Sequence, residues 1–188
     1  IGQMTGFQRS TDDKRGLFRA PGASHIVAWS VDLSKPRKSE RDVFGEGGRT
    51  DRFGEQPTAG ISILQRKQQK KFELKRKSPV LDMHNYYGEQ PIITLDKPLP
   101  VRKDQIVALT TLTWLPNLAA KDLSRQNTWV ASRKTADCNV PQDIPAEDRV
   151  DYFFAHTSPH KRVGSERRYE CEYERARLMY WAYFVPKS

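Results

Sequence analysis

HIVAWSVDL, residues 25–33, decides how this chain is to be read. Val27, Trp29, Val31 and Leu33 alternate with Ala28, Ser30 and Asp32, and a period of two places the apolar set on one face of an extended strand. The same rhythm recurs in both directions. TAGISILQ (58–65) and KFELKRKS (71–78) read as two arms of a hairpin, with Phe72 and Leu74 opposed to Lys71, Glu73, Lys75 and Lys77. Strands are expected at about 91–95 and 105–113, joined by a charged, Pro-rich turn, and again at 127–132, 149–154, 167–173 and 176–185. In the last segment both faces (Leu178, Tyr180, Ala182, Phe184 and Met179, Trp181, Tyr183, Val185) are apolar enough for burial, which predicts a strand inside a sheet.

Helical periodicity is nearly absent, so the chain reads as all-β. About nine short strands separated by long polar excursions predict a two-sheet antiparallel β-sandwich, jelly-roll-like, with long irregular loops. A length of 188 residues with 37% hydrophobic side chains is enough for one domain, 1–188, to enclose a core. Residues 1–24 are expected to form an N-terminal arm or peripheral segment, available for donation to a neighbouring subunit. The longest excursion, 34–57, contains GEGGR at 45–49, a glycine cluster without the helix that phosphate binding would require. No run of eighteen apolar residues occurs, so no membrane-spanning helix is expected.

The order IVAWSVDL, ISILQRKQQKKFELKRKSPV, ITLDKPLPVRKDQIVALTT, covering residues 25–115, resembles uncharacterised secreted bacterial β-sandwich domains of actinobacterial type. That resemblance implies the fold and an extracellular setting, and it transfers no catalytic residue. A chain opening on Ile1 rather than Met is also expected to have lost a leader or a longer N-terminal part.

Charge is concentrated. Residues 65–78, QRKQQKKFELKRKS, hold seven cations and one carboxylate, and so account for +6 of the net +9. Converging on a hairpin, Arg66, Lys67, Lys70, Lys71, Lys75 and Lys77 form the candidate site for an anionic polymer. The competing reading is a solvated hairpin that discourages edge pairing. Nucleic acid is not the expected partner, because no aromatic side chain is interleaved on the cationic face.

Of the four tryptophans, Trp29 and Trp181 lie in strong strands and are expected in the core. Trp114 and Trp129 lie beside loops and are the candidates for stacking on sugar rings. Cys138 and Cys171 fit no metal-binding spacing, and their polar surroundings predict a disulfide and hence an oxidising compartment. Asp82, His84 and Glu89 around LDMHNYYGE could bind a divalent ion, and solvated turn residues are the preferred reading. His156 and His160 have i,i+4 spacing, but Ser158-Pro159 interrupts a helix between them, which predicts a loop. No nucleophile elbow or cofactor fingerprint occurs.

The function expected is therefore non-catalytic: a secreted or cell-surface domain contacting an anionic polymer, a glycan or a neighbouring subunit, with no cofactor and no metal. A polysaccharide-active lyase or hydrolase on the same fold, with His84, Tyr86 and Tyr87 as acid and base groups, is the alternative. A viral coat subunit would carry a basic arm at one terminus, which the sequence lacks.

Overall fold

The computed structural model of the protein describes residues 1–12, 14–38 and 56–187. The GEGGR cluster and most of the 34–57 excursion lie outside the described residues. Fourteen strands occur in the described part: β1 (Gly2–Thr11), β2 (Lys14–Arg15), β3 (Ser24–Val31), β4 (Thr58–Gln68), β5 (Lys71–Lys77), β6 (Leu81–Asp82), β7 (Ile92–Val101), β8 (Ile106–Trp114), β9 (Leu118–Ala119), β10 (Thr128–Ala131), β11 (Glu166–Arg168), β12 (Cys171–Glu174), β13 (Arg177–Leu178) and β14 (Tyr180–Pro186). They build an antiparallel sandwich of unequal layers. The large sheet runs β11-β5-β4-β8-β1-β10-β12, with β2 and β6 at its margins, the small one runs β14-β3-β7, and β9 pairs with β13.

Between the sheets lies the main core. Ile26, Trp29 and Val31 of the small sheet meet Met4, Ile61, Ile63, Val107, Leu109 and Trp129 of the large one. The alternation in HIVAWSVDL holds from Trp29 to Leu33 but breaks at Val27. A register shift in the β3–β7 pairing between Ile26 and Ala28 buries Ile26 and leaves Val27 partly exposed. Opposite that shift, Leu95–Pro98 of β7 bulge out between Thr94 and Leu99. DKPLP is thus part of a strand rather than the expected turn, and the prolines are tolerated because β7 is an edge strand.

A period of two gives each strand of the large sheet a second face, and here that face is also apolar. Phe7, Leu64, Phe72, Leu74, Ile106, Ala108, Val130 and Tyr169 form a separate cluster on the side away from the small sheet. The segment 157–169 covers part of it, burying Thr157, Pro159, His160 and Tyr169. Beneath this cover, hydroxyls link three adjacent strands. Thr110 Oγ1 lies 2.9 Å from Thr5 Oγ1 and 2.8 Å from Ser62 Oγ, while the His160 N–H donates to Thr5 Oγ1 at 2.9 Å.

Three further sequence expectations are corrected. Residues 2–11 are no arm: β1 lies inside the large sheet, paired with β8 on one side and β10 on the other. Its core-facing positions include two small or polar residues, Gly6 and Gln8, which hid the alternation. Residues 149–154 are helical, in α1 (Arg149–Ala155), since a six-residue window of mixed character fits either period. Finally, among the described residues β14 is an edge strand paired with β3 alone, and Trp181, Tyr183 and Val185 are exposed.

Candidate functional site

The basic hairpin divides into two halves. On one side Glu73 sits between Lys75 at 2.7 Å and Lys67 at 3.2 Å, and Lys71 pairs with Glu166. Hydrogen bonds from Lys75 and then Lys67 hold the Glu73 carboxyl below its usual range. Lys77 donates to the Lys161 carbonyl at 2.9 Å. Four of the six predicted contact residues are therefore engaged with their own protein.

Arg66 and Lys70 take the other side. Together with Arg15, at the end of β2, and Arg19, beyond it, they border a groove of about 300 Å³ on the outer face of the large sheet. None of these four forms an ion pair among the described residues, and all four are exposed. Glu170 and Glu172 also line the groove, each already matched: Arg168 binds Glu170 at 2.6 Å, and Arg9 pairs with Glu172. Among the described residues, the charge of the groove left without an ion-pair partner is thus positive.

The floor is apolar. Phe7, Phe72 and Tyr169 form a three-ring cluster with centroid separations of 5.1 to 5.9 Å, two of the contacts edge-on. Ile106 and Val130 continue the floor, and these five side chains are between 1% and 7% exposed. The hairpin is tied to this floor, since the Tyr169 N–H donates to the Lys70 carbonyl at 2.8 Å. Lys70 itself has φ +60°, a left-handed conformation that favours Gly or Asn and costs a lysine about 1 kcal/mol. That turn geometry brings its side chain to the groove.

Below the floor, polar atoms are turned away from the groove. His160 Nδ1 lies 3.1 Å from the Tyr169 hydroxyl, and its Nε2 lies 3.0 Å from the Ser165 carbonyl oxygen. A neutral ring protonated on Nε2 satisfies both, donating to Ser165 while accepting from Tyr169. Burial pushes the His160 pKa down and that of the Tyr169 phenol far up. Because the unfolded imidazole binds its proton more readily, stability is fully present above about pH 6.5 and declines as pH falls through the lowered native value. Urea unfolding at pH 8 and pH 5.5 is expected to show a drop that is smaller in His160→Gln; an equal drop in both proteins would remove His160 as its source.

Comparison with protein-family models, with characterised proteins and with solved structures finds no match for this chain.

Trp114 and Trp129, expected to stack on sugar rings, are 2% and 4% exposed and belong to the interior. Trp129 packs over Gly6 and stacks on Tyr173 at 4.6 Å, and Trp114 stacks on Tyr87 at 6.1 Å. Trp181, expected inside, is 38% exposed. Cys138 and Cys171 are joined by a disulfide. His84 Nδ1 lies 2.9 Å from Asp82 at the surface, and Glu89 does not complete a cluster of three metal-ligating side chains with them. Tyr86 packs against the main core. His156 stacks on Tyr152 at the end of α1, and His160 is buried after the Ser158-Pro159 break.

Arg9, Arg15, Arg19, Phe7 and Tyr169 were not legible as site residues. In sequence Arg15 and Arg19 belong to a stretch where Asp12 and Asp13 offset them, and only strand pairing brings them opposite Arg66.

Proposed function

We propose that this protein is a non-catalytic binding domain of an extracellular or cell-surface setting, holding an anionic ligand in the groove between the β4–β5 hairpin and the 15–19 segment. The observation that carries this reading is the convergence of Arg15, Arg19, Arg66 and Lys70, drawn from two separate parts of the chain and lacking carboxylate partners among the described residues, on one concave surface. Cations on a solvated hairpin meet their own carboxylates, as Lys67, Lys71 and Lys75 do here. A cationic groove without such partners favours an incoming carboxylate, sulfate or phosphate, with an affinity that falls as salt rises. The Cys138–Cys171 bond supports the extracellular setting, since such bonds persist in oxidising compartments.

The test is retention on a sulfated or phosphorylated matrix across a salt gradient. Arg66→Gln/Lys70→Gln is expected to elute markedly earlier than the parent and with a weaker salt dependence. Lys67→Gln/Lys71→Gln, which removes the same formal charge from paired positions, is expected to shift less. Equal shifts for the two variants would reduce the effect to net charge and reject the groove as the site.

A further inference from the structure

We infer that the groove selects an amphiphilic anion, a single carboxylate, sulfate or phosphate head on an apolar body, rather than a linear polyanion. This inference rests on the anion-binding reading above. Three features of the groove carry it. Arg15, Arg19, Arg66 and Lys70 border one groove of about 300 Å³ from its two sides instead of tracking a path along the surface, so they suit one compact head group. A polyanion would need its charges matched at regular intervals, and the cations that could extend the path, Lys67, Lys71 and Lys75, are bound to Glu73 and Glu166.

The second feature is the floor. It presents rings and methyl groups from Phe7, Phe72, Ile106 and Val130, and the hydroxyl of Tyr169, its one polar side-chain atom, is committed to His160 below. A sugar chain or a bare phosphate placed there would lose hydration without receiving hydrogen bonds in return. An alkyl or aryl body would instead gain from covering these surfaces, and the stems of Arg66 and Lys70 extend the apolar wall towards their charged tips. The third is size. A groove of about 300 Å³ falls at the small end of ligand sites, fitting a short-chain or single-ring acid.

Calorimetric titration of the intact protein with octanoate, butyrate, 1-octanol and heparin separates the alternatives. Octanoate is expected to bind at least tenfold more tightly than butyrate, which lacks the apolar length, and than octanol, which lacks the charge. Arg66→Gln/Lys70→Gln and, independently, Arg15→Gln/Arg19→Gln are each expected to weaken octanoate binding at least tenfold; all four positions are exposed, so the variants keep the parent fold. Octanoate affinity equal to that of butyrate, or unchanged in both variants, overturns the inference. Heparin binding that is lost in the variants, with no octanoate binding, overturns it while leaving the anion-binding reading standing. If neither octanoate nor heparin responds to the substitutions, both readings fall together.

Discussion

Replacing Trp129 by Ala is expected to lower stability by about 3–5 kcal/mol, the range for removing a buried tryptophan. For a chain of this size each kcal/mol moves the melting temperature by about 2–4 °C, so the expected drop is on the order of 10 °C. The indole is 4% exposed, lies over Gly6 in the neighbouring strand and stacks on Tyr173. A β-carbon on Gly6 would sit 3.1 Å from the indole ring and 3.0 Å from the Val130 carbonyl oxygen, so the absence of a side chain there is what admits the ring. Trp181→Ala supplies the contrast. That residue is 38% exposed on an edge strand, and its loss is expected to cost less than about 1.5 kcal/mol. Thermal melts of the two variants check this; similar losses would mean that the assignment of interior and surface tryptophans is wrong.

The second large effect concerns the disulfide. Cys138 and Cys171 are 33 positions apart, with Cα atoms 5.0 Å from each other. The bond ties the polar, weakly structured stretch after β10 to β12 at the margin of the large sheet. In the chain-entropy account, releasing a loop of this length costs about 3–4 kcal/mol. Denaturant unfolding of Cys138→Ser/Cys171→Ser is expected to show that loss. The double variant avoids the reactive thiol that a single change would leave. A loss below about 1 kcal/mol would show that strand pairing alone holds the segment.

How much of this was legible in the sequence follows from how locally each feature is encoded. HIVAWSVDL, TAGISILQ and KFELKRKS carry their burial in a period of two, and each became a strand of the sandwich. The disulfide was legible because two cysteines in polar company have few other roles. By contrast, β1 was hidden because glycine and glutamine take core-facing positions, where Gly6 makes room for Trp129 and Gln8 bonds to the backbone of Ala176 and Leu178. Trp114 and Trp129 were misplaced for a related reason: a polar flank says nothing about the direction of one side chain at a strand end. The basic stretch was visible as charge, but its division was not. Whether a lysine meets Glu166 or faces a groove depends on the pairing of β5 with β11, about ninety residues later in the chain.

The hydroxyls of Thr5, Thr110 and Ser62 have a consequence for how the chain finds its fold. A β-strand displaced by one position turns every side chain to the opposite layer, and greasy residues on both faces, as in β4 and β8, would tolerate that error better than most sequences do. The three hydroxyls act as a vernier. Displacing β1 or β4 by one position would put Met4 or Gly6 in place of Thr5, or Ile61 or Ile63 in place of Ser62, and take a partner from the buried Thr110 hydroxyl. A sheet greasy on both sides thereby distinguishes its proper alignment from the near misses that its hydrocarbon alone would accept.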